Sequence, residues 1–254
     1  MPHKEDIQGF YDSLAENYDD MINFRANFEK NLEKFESFVK QHALSKVLDV
    51  GAGSGLHSLL LAKSGAEVTA VDISEEMLGR LKENARQSNL PIDVVKADFR
   101  EIPQKVHSPF DGIVSLGNSM AHILKDEEII SILEGFHSML NPGGLLFIQL
   151  LNYDRIMKNA ERVQSVRKSG ESTLIRFYDF CNEHLYFNLL KVWENENGMH
   201  HSLNTVELRP YLRDELSEFL KKSGFTELSF FGSLEWEAFD KETSPNLTVI
   251  AKRK

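Results

Sequence analysis

The sequence predicts an α/β protein, doubly wound around a largely parallel sheet, with an antiparallel β-rich insertion and two N-terminal helices. Three observations lead there. Short β-branched runs alternate with helical stretches from Lys46 to Leu151. A glycine-rich turn, Val47–Ser58 (VLDVGAGSGLHS), joins the first run to the first helix of that series. After Asn152 the alternation stops, and strand-like runs follow one another to about residue 210. Alternating strands and helices imply parallel pairing with helices on both faces.

The elements follow in order. In residues 3–40, Ile7, Phe10, Tyr11, Leu14 and Tyr18 recur at helical spacing, then Phe24, Phe28, Leu32, Phe35 and Val39. Two helices are expected, forming a lid over residues 1–40. A core over 41–152 begins with the strand Lys46–Val50. A helix from Gly55 to Ser64 is stopped by Gly65, and Glu67–Val71 is the second strand. Ser74 opens a helix with acidic residues in its first turn. Pro91–Lys96 and Phe110–Leu116 are the third and fourth strands. The helix Lys125–Leu140 ends at Asn141-Pro142-Gly143-Gly144, and the apolar run Leu145–Leu151 reads as a buried central strand. The insertion, 153–210, holds TLIRFYDF, EHLYFNLLKVW and HHSLNTVEL, with Asn197-Gly198 as a hairpin signal. The core resumes over 211–254 with a helix Arg213–Ser223, closed by Gly224, and the strands ELSFFG and LTVIAK.

Composition narrows the function. The chain has 254 residues, 41% hydrophobic and 27% charged, which excludes a disordered chain or a rod. Its net charge of −10 disfavours nucleic acid as a partner. No run approaches the roughly 18 apolar residues of a membrane span. No secretory signal is visible, and a cytoplasmic location is expected. The single cysteine, Cys181, excludes a Cys-rich metal site, suits a reducing compartment and reads as a buried thiol. The neighbouring His200 and His201 lack further ligands at metal spacing, so no metal is expected.

The glycine turn carries the ligand prediction. Gly51, Ala52, Gly53 and Gly55 let the backbone approach a ligand, and the following helix offers free N–H groups. A dinucleotide site has the spacing G-x-G-x-x-G. Here the third glycine comes one position early and Leu56 takes its place. Asp49, two residues before Gly51, would suit a cationic ligand better than a pyrophosphate. S-adenosylmethionine is therefore favoured over NAD. Asp72 and Ile73 end the second strand, where a carboxylate can accept both ribose hydroxyls. Asp98 can accept from an adenine amino group, with Phe99 and Met77 against the two faces of the ring.

These motifs resemble those of the class I S-adenosylmethionine-dependent methyltransferases. The likeness covers about Leu44–Leu151 and the closing elements from Tyr211. It implies a seven-stranded sheet with the last strand antiparallel. LGNSMAHIL (Leu116–Leu124) and NPGGLLFIQLLNYD (Asn141–Asp154) are similar to the glycine N-methyltransferase group. That likeness implies that Leu116 and Gly117 line the methionine end of the cofactor and that Asn118 orients the acceptor. It also implies aromatic residues above the pocket, for which Tyr11 and Tyr18 are candidates, and Arg25 for the cofactor carboxylate. His122 as proton acceptor and Tyr153 as a hydrogen-bonding group complete the catalytic candidates. One departure stands out. The group places an arginine before the Asn-Tyr-Asp triplet to clamp an amino-acid carboxylate, and here that position is Leu151. A carboxylate-bearing acceptor would need another cation, Arg155 or Arg176. The expected function is methylation of a small molecule, with an amine nitrogen as acceptor. O-methylation of a small metabolite and a non-catalytic S-adenosylmethionine-binding role are the alternatives.

Overall fold

The computed structural model describes residues 7–107, 109–181 and 184–254. The chain opens with α1 (Ile7–Leu14), α2 (Tyr18–Met21) and α3 (Phe24–Gln41). The expected residues 3–6 of the first helix lie outside the described residues. There follow β1 (Lys46–Val50), α4 (Leu56–Lys63), β2 (Glu67–Asp72), α5 (Glu75–Gln87) and β3 (Asp93–Lys96). Next come α6 (Ile102–Lys105), β4 (Phe110–Ser115), α7 (Asp126–Met139) and β5 (Leu140–Leu151). The insertion contains α8 (Tyr153–Asn159), β6 (Val163–Ser169), β7 (Ser172–Cys181), β8 (His184–Asn195) and β9 (Gly198–Leu208). The chain closes with α9 (Arg213–Lys222), β10 (Thr226–Phe231) and β11 (Asn246–Lys252).

The main sheet has seven strands in the order β10-β11-β5-β4-β1-β2-β3. β11 runs antiparallel to both of its neighbours, and the other pairs are parallel. Strand order reverses between β1 and β4, which places a crevice beyond their carboxyl ends. Ile129, Leu133 and Phe136 of α7 pack with Leu216 and Leu220 of α9 on one face. Phe35 and Phe38 of α3 pack with Leu60 and Leu61 of α4 on the other. The second half of α3 is thus a sheet-covering helix rather than lid, because Phe35, Phe38 and Val39 are buried in one cluster with α4 and with Val47 and Phe147 of the sheet. No helix among the described residues is long and apolar enough to cross a membrane.

The insertion forms a separate four-stranded antiparallel sheet, β6-β7-β8-β9. Its first strand has the sequence VQSVRKS, too charged to be read as one in advance. The hairpin between β8 and β9 turns on Glu196-Asn197, with Gly198 opposite Asn195 as the first ladder pair. Asn141–Gly144, expected as the turn between the helix and the fifth strand, lies inside that strand, because α7 ends at Met139 and β5 starts at Leu140. It is an irregularity within β5, whose register against β4 shifts between Phe110 and Gly112. Cys181 is exposed, not buried, because it is the last residue of β7, paired with His184 at the first residue of β8.

Two anchors fix the insertion beside the crevice. After β9, the Arg209 N–H donates to the Ala121 carbonyl at 2.7 Å, and the Tyr211 hydroxyl donates to the Ile123 carbonyl at 2.6 Å. The N-terminal segment is tied to α5, where Arg80 donates to the Ala15 and Glu16 carbonyls at 3.2 and 2.7 Å. It also meets the insertion, with Phe10 edge-on to Phe187 at 6.1 Å.

Candidate active site

A cleft opens at the switch point in two lobes, of about 450 and 590 Å³. Tyr11, Tyr18, Gly51, Gly53, Ser119 and His122 line both. The glycine turn after β1 and the turn after β4 meet there. The Ser119 hydroxyl donates to the Gly51 carbonyl at 3.2 Å. A Cβ on Gly51 would stand 2.5 Å from the Ser119 Cβ, so only glycine lets the two turns close.

The first lobe lies over the end of β2. Asp72 is 9% exposed. One carboxylate oxygen accepts from the Gly53 N–H at 2.8 Å and the other from the Ser74 N–H at 2.9 Å. Burial pushes its pKa up, and backbone donors from Ser74, Gly53 and Ile73 oppose that rise. Each oxygen keeps a lone pair for a further donor. Ile73, Asp98 and Phe99 line the same lobe, with apolar walls from Val71, Ala97 and Ile132.

The second lobe lies under the insertion sheet. Leu116, Gly117 and Asn118 reach it from the turn after β4, Leu151 from β5, and Arg176 and Tyr178 from β7. Asn118 holds a left-handed conformation at φ 76°, which asparagine tolerates better than most residues. Its Oδ1 accepts from the Leu151 N–H at 3.0 Å, and its Nδ2 donates to the Tyr153 hydroxyl at 2.8 Å. One Nδ2 hydrogen is left for a ligand.

Several predicted site residues lie elsewhere. Arg25 is turned to solvent, its side chain 93% exposed, and pairs with Glu29 at 3.1 Å. The face of α3 that lines the second lobe is instead Asn27, Lys30, Asn31 and Lys34. That polar i, i+3, i+4, i+7 stripe is visible in the sequence. Asp49 does not reach the cleft. Strand alternation turns it to the α4 side, where it is 1% exposed and accepts from the Ser58 hydroxyl at 2.5 Å. Gly55 is likewise set back against α5, and Ala52 lines the second lobe with the rest of the turn. Met77 is fully buried outside the cleft walls, its N–H capped by the Ser74 hydroxyl at 3.1 Å. Asp98 faces the first lobe, but the Arg100 guanidinium holds both of its oxygens, at 2.6 and 2.7 Å. Burial raises the Asp98 pKa, and the Arg100 hydrogen bonds outweigh it, leaving it low.

Tyr153 is fully buried and holds Asn118 rather than facing the cleft. The whole Asn-Tyr-Asp triplet is scaffold. Asn152 donates to the Ser244 carbonyl at 2.9 Å, and Asp154 accepts from the Arg213 N–H at 2.9 Å at the start of α9. His122 does line the cleft. Its Nε2 shares a hydrogen bond with the Tyr11 hydroxyl at 2.8 Å. Burial lowers its pKa to about 4, against a backbone contact from Glu207 that raises it. A neutral imidazole already bonded to a phenol is a wall of the site, not a poised base.

Burial pushes the Asp49 carboxyl from 3.8 up to about 7, although the Ser58 hydroxyl bond lowers it. The folded state then keeps a proton that the unfolded state gives up, so stability is lost as pH rises from about 4 to about 7. Asp49→Asn cannot ionise. Thermal denaturation is expected to find it more stable than the parent by about 2–4 kcal/mol at alkaline pH, and nearly equal under acid conditions. An equal gain in both conditions would clear the carboxylate of any part.

The residues fit S-adenosylmethionine. The first lobe pairs an aromatic ring and apolar walls with a buried carboxylate that retains acceptor capacity. The bare Cα of Gly53 leaves room beneath the Tyr18 ring, which a Cβ would meet at 3.7 Å.

Comparison with known proteins agrees with this geometry. Residues 47–144 match a family described as a methyltransferase domain. A glycine/sarcosine N-methyltransferase of Aphanothece halophytica is 28% identical over 98% of this chain and 90% of its own. A glycine N-methyltransferase of Homo sapiens is 35% identical over 47% of this chain and 45% of its own. Among solved structures, an S-adenosylmethionine-dependent methyltransferase from Clostridium acetobutylicum superposes with a TM-score of 0.80 at 17% identity, covering 95% of this chain and 98% of that one.

Fold and cleft together are similar to those of the class I S-adenosylmethionine-dependent methyltransferases, whose domain model residues 47–144 match. The curated relatives that span most of the chain, and to which it is similar, are glycine/sarcosine N-methyltransferases.

Proposed function

We propose that this chain methylates the nitrogen of a small amine bound in the second lobe. The observation that carries this is the pairing of lobes across one glycine turn: a carboxylate-edged lobe shaped for a nucleoside beside a lobe lined by phenols and an amide. Asp72 would hold the ribose hydroxyls, with Ile73 and Phe99 beside the adenine. Leu116 and Gly117 would flank the methionine end. Bound S-adenosylmethionine supplies a methyl group made electrophilic by its sulfonium. The chain's own residues have to align a neutral nucleophile and keep water out, and alignment of this kind lowers barriers by about 7–11 kcal/mol. Asn118 does the aligning with its remaining N–H, and Tyr153 and the Leu151 N–H fix its amide plane. Tyr11, Tyr18 and His122 exclude water from the junction of the lobes.

The acceptor is sought by measuring S-adenosylhomocysteine release with small amines, amino acids, amino sugars and phenols. On the best acceptor, Asn118→Ala is expected to lower kcat/KM by about 10- to 100-fold, or roughly 1.4–2.7 kcal/mol. Calorimetry should find cofactor affinity nearly unchanged. Full turnover by the variant would make Asn118 a purely structural residue. Turnover of phenols but of no amine would replace N-methylation by O-methylation.

A further inference from the structure

Arg176 lies on β7, where side-chain alternation puts it on one face with Leu174 and Tyr178. Those neighbours are 7% and 1% exposed, so this is the face packed on the body of the protein. An inward charge on an edge strand can guard against unwanted pairing. β7 is flanked by β6 and β8 and needs no such guard. A partly buried guanidinium is costly unless it has partners. Its Nε donates to the Ser165 hydroxyl at 2.8 Å, and among the described residues the two terminal nitrogens have no hydrogen-bond partner. Among the described residues no carboxylate forms an ion pair with it, and the charged or phenolic groups acting on it are Arg167, Tyr178 and Tyr18. Arg155 is different: Glu161 holds it at 2.9 Å and the Ser244 carbonyl at 3.0 Å. The Arg176 side chain lines the second lobe with Asn118, Leu151 and Tyr178. The Tyr178 hydroxyl is buried in that wall and has no partner among the described residues.

We infer that Arg176 is the receptor for a carboxylate on the methyl acceptor, with the Tyr178 hydroxyl as a second donor. The assignment rests on the amine-methylation reading of the same cleft and sharpens it, because the acceptor becomes an amine that carries a carboxylate. The insertion sheet then supplies from above the cation that Leu151 cannot supply from β5. A guanidinium with two free nitrogens matches a carboxylate bidentately. The cofactor carries a carboxylate of its own. Lys30 of α3 lines the same lobe, on a helix packed against α4 behind the glycine turn. That side is left to the cofactor.

The test uses the full chain saturated with S-adenosylhomocysteine, with acetate and acetamide as probes. Acetate binding should weaken by about 30-fold or more in Arg176→Gln, with Arg176→Lys recovering part of the loss. Acetamide binding should not change, and S-adenosylhomocysteine affinity should stay within about twofold, which also shows that the variant is folded. The ratio of kcat/KM for glycine to that for glycinamide should fall by a similar factor. Equal acetate binding by parent and variant overturns the assignment. So does a loss of S-adenosylhomocysteine affinity with acetate binding unchanged, which gives the arginine to the cofactor's carboxylate. A chain that binds acetate through Arg176 but methylates no amine keeps the assignment and loses N-methylation. A chain that methylates methylamine and glycinamide but binds no acetate does the reverse.

Discussion

Gly55→Ala is expected to destabilise the protein by about 2–5 kcal/mol, with a fall in Tm of roughly 5–15 °C for a chain of this size. Two effects add. Gly55 has φ 93°, a left-handed conformation that costs an L-residue about 1–2 kcal/mol. The new Cβ would also stand 2.6 Å from Leu81 Cγ and 3.1 Å from Leu59 Cδ1. Leu81 is fully buried and Cγ is its branch point, so the side chain cannot swing aside without moving α5. Overpacking of that kind costs about 1–3 kcal/mol. Gly79, exposed on α5 with nothing within 4 Å of its added Cβ, is the contrast. Gly79→Ala should stabilise by about 0.5–1 kcal/mol, because alanine is the better helix former. Denaturation curves showing a similar small change for both would remove the packing argument.

The second large effect is expected on cofactor affinity. Asp72→Ala should weaken S-adenosylhomocysteine binding by about 2–4 kcal/mol, roughly 30- to 1000-fold, since charged hydrogen bonds are worth about 1.5–3 kcal/mol each. The ribose would lose its acceptor. The Gly53 and Ser74 N–H groups would lose theirs too, so the turn that shapes both lobes would loosen. Stability of the free protein should change less, because the same substitution relieves the burial of a carboxylate. Asp72→Asn keeps one carbonyl oxygen and should fall between the two proteins. Calorimetry separates the three. An unaltered dissociation constant in the alanine variant would place the ribose elsewhere.

Much of this architecture was legible in the sequence because its signals are local. β1 was bounded correctly because the apolar run KVLDV ends on a glycine turn. α5 was legible because Ser74, Glu75 and Glu76 mark its start and a hydrophobic face follows. β6 was missed because it is an edge strand, with solvent in place of an apolar face and therefore no alternation to read. Lining the cleft was legible for Asp72, Phe99 and Asn118, since strand ends at a switch point face the same crevice. Direction along a strand was harder to judge. Asp49 is one residue from the turn, yet its side chain lies against Ser58 of α4 and not in the cleft. Arg25 failed for a helical version of the same reason: a charged residue was matched by type, while the lobe-facing stripe of α3 falls at Asn27, Lys30, Asn31 and Lys34. The Arg100–Asp98 pair could not be foreseen, because it depends on a side-chain rotamer.

The wall shared by the two lobes has a thermodynamic consequence. Tyr11 and Tyr18 face both sides, their rings 6.4 Å apart and edge-on. A ligand in either lobe would touch rings that a ligand in the other lobe also touches, so the two sites share one movable wall. Linkage makes any effect reciprocal: whatever factor the cofactor applies to the acceptor's affinity, the acceptor would return to the cofactor's. Under the proposed methyl transfer the two products would inherit that linkage, and the order in which they leave would follow from its sign.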